Sequence, residues 1–297
     1  MIGAIIGDIA GSRFEFNNYR SKDFELFGGE KGLRFVGRYD ECKFTDDTVM
    51  TCAVAQALLI MKYCGMRRIP TPEEGEERAK WAAEFKKQLI RTMKELAQRY
   101  PHAGYGSKFF YWVLGNDKEP YNSYGNGSAM RVSPVIWFAN NIYDVVDLAT
   151  WSAEITHNHP EGIKGAVVTA TAGYMAKTGA NKECIKRYVQ KQYPGSCKET
   201  WEEIAMWQEH IETCMNALPV AMSAFVEGES YEDVIKTAIA CGGDTDTIAA
   251  IAGAVAEPFY GVPEEIKREG LVRLPPDLRK ITIEFYKEIV LSEEKAA

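Results

Sequence analysis

The chain has 297 residues, 46% of them apolar and 26% charged, with a formal net charge of −7. That apolar content supports a sizeable core and excludes wholesale disorder. The negative charge excludes a nucleic-acid phosphate backbone as the main partner, because such binders need a basic surface. A small anionic ligand stays open, since metal ions bring positive charge into an acidic pocket. Seven scattered cysteines form no CxxC pair. They read as reduced, mostly buried thiols in a cytoplasmic protein without a zinc site. No apolar run approaches the ~18 residues of a membrane span, and residues 1–8 lack the basic start of a signal peptide.

The first element is a helix over about 2–12, with Gly3, Gly7 and Gly11 on one face. Small residues at four-residue spacing let a second helix approach closely, which places this helix inside a crowded bundle. Residues 17–43 carry Gly28, Gly29, Gly32 and Gly37 among mixed charges and read as a long loop, with short strands possible. Residues 49–63 are apolar on all sides, the mark of a buried helix. Residues 73–99 place Trp81, Phe85, Leu89 and Met93 on one stripe of a charged helix. Residues 101–130 read as a second long loop. Helices are predicted at 142–156, 161–177 and 181–192, and one or two across 201–227 with a kink or break at Pro219. Ser230 and Asp233 form a capping box for the next helix. A small, apolar helix follows at 248–257, and 264–291 holds a break at Pro275 and Pro276 before a final amphipathic helix. No segment alternates with period two for long. The fold class is all-α: a single compact domain over 1–297, an orthogonal helical bundle.

Two segments look alike. Thr45, Asp46, Asp47 and Thr48 open the buried helix at 49–63; Asp244, Thr245, Asp246 and Thr247 open the one at 248–257. Helix capping accounts for one oxygen side chain at a helix start. Each segment supplies two acids flanked by threonines. Either cluster alone is equally a cap or a metal site. Together they favour metal ions, because four carboxylates in one dry site repel strongly and no Lys or Arg adjoins them in sequence. All-oxygen ligands suit Mg²⁺, Mn²⁺ or Ca²⁺. Other signals have bland readings: Asp8 as a cap or brace for a neighbour, Glu15 as a solvated acid, and His157 with His159 as a helix end before Pro160.

Five motifs then occur in order: Gly7, Asp8, Gly11 and Glu15; Thr45 to Thr48; 123–131, with Ser123, Tyr124, Gly125, Asn126, Gly127 and Arg131; Thr156, His157, His159 and Pro160; and 242–247. In this order the chain resembles, over nearly its whole length, the ADP-ribosylglycohydrolase family. That family includes enzymes that reactivate ADP-ribosylated dinitrogenase reductase and enzymes that remove ADP-ribose from arginine or serine. The resemblance implies two divalent ions, Mg²⁺ or Mn²⁺, at the centre of an all-α fold. Thr45, Asp46 and Asp47 would ligate from one side, and Asp244, Asp246 and Thr247 from the other. Glu15 would be a mobile carboxylate, acting in catalysis with Asp46 and Asp47. Ser123, Tyr124, Gly125, Asn126 and Gly127 would line an ADP-ribose cleft, with backbone N–H groups on the diphosphate, and His157 would contact the ligand. The implied reaction is hydrolysis of the ribosyl C1″ glycosidic bond, releasing ADP-ribose from a modified protein or other acceptor. The expected state is a monomer with no membrane partner. Two other readings are a hydrolase of small ADP-ribose conjugates and a non-catalytic member that keeps the fold.

Overall fold

The computed structural model describes residues 1–17, 19–28, 42–115 and 118–291. Of the loop expected over 17–43, residues 18 and 29–41 lie outside them. Among the described residues the chain is all-α, with one isolated bridge between Gly125 and Thr213.

The helices in chain order are α1 (Ile2–Gly11), α2 (Asp46–Tyr63), α3 (Gly75–Arg99), α4 (Ser107–Leu114), α5 (Gly127–Met130), α6 (Ser133–Phe138), α7 (Ile142–Glu154) and α8 (Pro160–Lys177). They continue with α9 (Lys182–Gln192), α10 (Trp201–Trp207), α11 (Cys214–Glu227), α12 (Tyr231–Cys241), α13 (Thr245–Tyr260), α14 (Glu264–Val272) and α15 (Pro276–Phe285). A π-helical turn, Tyr286–Val290, follows α15.

Residues α1 and α13 form the axis of the bundle, and the glycines decide how they meet. An ideal Cβ on Gly3, Gly7 or Gly11 would lie 2.5, 2.2 or 2.5 Å from the carbonyl oxygens of Gly253, Ala249 and Thr245 respectively. The pairing descends as α1 ascends, so the two helices are antiparallel and touch backbone to backbone. The C-terminal end of α1, leading to Glu15, therefore sits at the N-terminal end of α13, where Asp244 and Asp246 begin. Around this axis α2 is buried along most of its length. The stripe of Trp81, Phe85, Leu89 and Met93 on α3 is buried in the same apolar cluster as α2.

Three expectations needed correction. The loop predicted over 101–130 contains α4 and the short α5. In α4, Phe109, Trp112 and Val113 are buried at i, i+3 and i+4, a helical stripe carried by aromatic and branched residues of modest helix propensity. Between 201 and 227 the chain forms two helices, but the break falls at 208–213 and Pro219 lies inside α11. The break is tertiary. Arg20 donates to the carbonyls of Gln208 (2.8 Å) and Cys241, and the carbonyl of Glu212 accepts from Asn126 N–H (3.2 Å), so the segment is tied down before α11 can start. Pro160 likewise opens α8. His159 is its N-cap, with Nδ1 accepting from Glu161 N–H at 3.1 Å, rather than the end of a preceding helix. The capping of α12 follows expectation in part: Ser230 Oγ accepts from Asp233 N–H at 3.1 Å, while the Asp233 carboxylate accepts from Glu229 N–H at 3.0 Å. No described helix is long and apolar enough to cross a membrane, and all seven cysteines are free.

Candidate functional site

Capping is where the two acid clusters first separate from the bland reading. At α2 the cap is Thr45, whose Oγ1 accepts from Asp47 N–H at 3.3 Å. It is reinforced from α1: the buried Asp8 carboxylate accepts from Thr45 N–H (3.0 Å), Thr45 Oγ1 (2.7 Å), Thr48 N–H (3.0 Å) and Thr48 Oγ1. Asp8 braces α2 as its neighbour-capping reading anticipated. Burial pushes its carboxyl up to about 6, against the pull of those four donors. With the helix start satisfied, Asp46 and Asp47 are not needed as caps. At α13 no side-chain cap forms; Asp244 Oδ2 accepts instead from Asn126 Nδ2 at 2.7 Å, and Asp246 Oδ1 from Thr247 N–H at 2.8 Å.

The clusters meet across 200 residues of sequence: Thr247 Oγ1 donates to Asp47 Oδ2 at 3.0 Å. Glu15, Asp244 and Asp246 each offer an oxygen within 4.8 Å of the other two. The cost of this arrangement shows in the acid strengths. Burial, and after it the neighbouring carboxylates, hold Asp46, Asp47 and Asp246 well above the ordinary carboxylate range. Burial, then Asp244, push Glu15 up to about 7, with His210 acting in the opposite sense. Asp47 Oδ1 is buried with no hydrogen-bond partner among the described residues. An orphaned anionic oxygen beside mutually repelling carboxylates fits a hard divalent cation and its all-oxygen ligand set.

These groups form one wall of a cleft of about 350 Å³. Asp46, Asp47, Asp244, Asp246, Thr247 and Glu15 line it, as do Ser123, Tyr124, Gly125, Asn126, Gly127 and His157. Thr45 stands outside the lining, its hydroxyl engaged with Asp8 and the α2 N-terminus. The glycine-bearing loop is held at both edges. Ser123 N–H donates to the Thr156 carbonyl at 3.4 Å, and Cys214 N–H to the Tyr124 carbonyl at 3.1 Å. Gly125 N–H donates to Ser123 Oγ (3.1 Å) and Asn126 N–H to the Glu212 carbonyl. Those two N–H groups are thus committed inside the protein and do not face a diphosphate in this conformation. Tyr124 is 48% exposed at the rim, its ring edge-on to His159 at 5.2 Å.

Several contributors carried no sequence signal of their own. His210 and Glu212 reach the site from the 208–213 break, their rings and carboxylates paired at 3.1 Å. Burial disfavours the His210 cation, but Glu212, Asp244 and Glu15 outweigh it and raise its pKa. Gly104 and Tyr121 line the cleft from the supposed loop at 101–130. Arg131, the last residue of the 123–131 motif, is buried in the cleft wall and holds the loop through Gly127 O at 3.2 Å.

The family model described as ADP-ribosylglycohydrolase matches residues 1–294. The chain is 26% identical to "ADP-ribosylhydrolase ARH3" of Gallus gallus, over 88% of this chain and 84% of that protein. It is 25% identical to the Homo sapiens protein of the same name, over 89% and 85%. It is 23% identical to "ADP-ribosyl-[dinitrogen reductase] glycohydrolase" of Rhodospirillum rubrum, over 89% and 85%. A solved structure titled "ADP-ribosylglycohydrolase-related protein complex" superposes with a TM-score of 0.59 at 20% identity, covering 96% of each chain, and supports the all-α fold. With a family match spanning almost the whole sequence, and both acid clusters converging where they were expected to, this chain belongs to the ADP-ribosylglycohydrolase family.

Proposed function

We propose that this chain is a divalent-metal-dependent hydrolase that releases ADP-ribose from a modified protein or other acceptor by cleaving the ribosyl C1″ bond. The observation that carries the reading is the junction of the two acid clusters, Thr247 Oγ1 on Asp47 Oδ2, at the wall of a cleft large enough for a drug-sized ligand. The family and the names of the relatives support ADP-ribose as the group released.

Asp46, Asp47, Asp244 and Asp246 would hold two Mg²⁺ or Mn²⁺ ions, with the Thr247 hydroxyl and the remaining lone pair of Thr45 Oγ1, whose proton Asp8 holds, completing the set. Bound there, the ions would lower the pKa of a coordinated water and balance the carboxylate charge. Cleaving the glycosidic bond builds positive charge at the anomeric carbon, and carboxylates beside it stabilise that charge. Glu15 would take the proton of the attacking water; its carboxyl, pushed up to about 7, is matched to proton transfer near neutral pH. Ser123, Tyr124, Gly125, Asn126, Gly127 and His157 would hold ADP-ribose against this wall. Asn126 would also orient Asp244.

The test offers purified protein a panel of conjugates, ADP-ribosylated on arginine, on serine and on small acceptors, with Mg²⁺ or with EDTA, and measures released ADP-ribose. Release with Mg²⁺ and none with EDTA is expected, and Asp46→Ala or Asp246→Ala should abolish release with the helical fold retained. Full activity in either variant, or in thoroughly chelated wild type, overturns the two-metal reading.

A further inference from the structure

Arg131 is a buried cation in the wall of the cleft, 1% exposed, and it makes no ion pair among the described residues. Its Nη2 donates to the Ser152 carbonyl and to Thr156 Oγ1, both at 2.8 Å, and its Nη1 to the Gly127 carbonyl. A guanidinium can only donate. Burial pushes its pKa down to about 10, so it remains protonated at neutral pH. Thr156 Oγ1 must therefore accept from Arg131.

A hydroxyl carries one proton. The next partner of Thr156 Oγ1 is His157 Nδ1, at 2.8 Å. Tyr121 also faces that hydroxyl and competes for its proton, but burial raises the phenol to about 12, so Tyr121 keeps a proton of its own. With the Tyr121 phenol proton turned to the same oxygen, the Thr156 proton goes to Nδ1, the partner at 2.8 Å. Burial, then Arg131, hold the imidazole pKa well below its ordinary value, so the ring is neutral. A neutral imidazole that accepts at Nδ1 carries its proton on Nε2.

Nε2 faces the cleft. A Cβ on Gly127 would lie 3.0 Å from it, and one on Gly125 3.6 Å, so the glycines leave this face of the ring clear. Nε2 has no protein hydrogen-bond partner among the described residues.

We propose that Arg131 and Thr156 form a relay that fixes the Nε2–H tautomer of His157, so that His157 presents a permanent N–H donor to an oxygen of the bound ligand. The ligand atom at that point is an acceptor: a phosphate, hydroxyl or carbonyl oxygen. A nitrogen that already carries a proton neither accepts one from water nor ligates a cation, so His157 is outside the proton transfer and the metal set. Arg131 and Thr156 are positioning residues, acting through His157. The ligand-facing half of this inference rests on the proposed function; the tautomer does not.

Long-range ¹H–¹⁵N NMR of the imidazoles in the full-length protein reads the tautomer directly, with the His157 signals among the four histidines assigned by His157→Gln. The wild type should show the Nε2–H form, unchanged between pH 6 and 8. Thr156→Val keeps the shape, removes the hydroxyl and should bring in the Nδ1–H form. Thr156→Ser should restore Nε2–H. Calorimetry with ADP-ribose and Mg²⁺ should show Thr156→Val binding about tenfold more weakly, as for one lost hydrogen bond, and Thr156→Ser near wild type. An Nδ1–H or imidazolium wild type, or a Thr156→Val protein with the tautomer unchanged, overturns the relay. A changed tautomer with equal ADP-ribose affinity overturns its role toward the ligand. Wild type that binds no ADP-ribose overturns the proposed function, and the NMR result still decides the relay.

Discussion

The Asp8 carboxylate accepts two backbone N–H groups and two hydroxyls at the start of α2. Asp8→Ala would leave these donors buried and unpaired, and a loss of about 3 kcal/mol is expected by denaturant unfolding. Because Thr45 would lose its brace, Asp46 and Asp47 would also shift, and Mg²⁺ binding measured by calorimetry should weaken. A variant of wild-type stability would show that Asp8 is not the brace its geometry describes. Glu15 behaves differently: it faces the cleft and caps nothing. Glu15→Gln keeps the shape and removes the charge, so kcat on an ADP-ribosylated acceptor should fall by roughly 10²–10⁴-fold with ADP-ribose affinity nearly unchanged. If affinity falls and turnover survives, Glu15 positions the ligand and proton transfer belongs to the Asp residues.

The contact of α1 with α13 sets the site's dimensions, because one helix leads to Asp8 and Glu15 and the other starts at Asp244 and Asp246. Its tolerance is small: a Cβ on Gly7 would stand 2.2 Å from the Ala249 carbonyl oxygen. Gly7→Ala must push the helices apart, with an expected cost of about 1–3 kcal/mol and a weaker affinity for Mg²⁺. Gly75→Ala, at the exposed start of α3 with nothing within 4 Å of the added carbon, is the control and should change neither. Equal melting temperatures for Gly7→Ala and wild type would mean that the axis yields without strain. The four-residue glycine spacing was readable in the sequence and so was a close helix partner. Which helix that partner is was not, since spacing describes one surface and says nothing of the surface that meets it.

Across the molecule, the acid cluster couples stability to pH. Glu15 rises from an ordinary 4.5 to about 7 and Asp8 from 3.8 to about 6. A carboxyl whose folded pKa is raised stabilises the fold below its unfolded pKa, and that contribution is lost as pH rises through the folded value. Without metal, the cluster therefore weighs against the fold increasingly from about pH 4 to pH 7. Bound cations favour the ionised carboxylates and oppose the same protonation. The gain in melting temperature on adding Mg²⁺ should be small at pH 5 and grow through pH 7. His157, whose lowered pKa costs stability as pH falls below 6.5, acts alike with and without metal and cancels from the difference. A gain that is flat across this range, or absent, would argue against ions held by these carboxylates.

Local order was legible from sequence. Residues α2, α3, α7, α8 and α9 follow from apolar periodicity and start signals within a few positions, because a helix is written in the residues that form it. The two acid clusters were legible too, since four acids at the starts of apolar helices exceed what capping needs. What only the tertiary structure decided are the long-range partners: Asp8 on Thr48, Thr247 on Asp47, Asn126 on Asp244, and Arg131 on Thr156. The 208–213 break belongs with them, because contacts with Arg20 and Asn126, not Pro219, stop the helix there. The physical reason is the same in each case. A hydrogen bond depends on distance between atoms, and residues 25 to 200 positions apart come within about 3 Å only after the helices that carry them have packed.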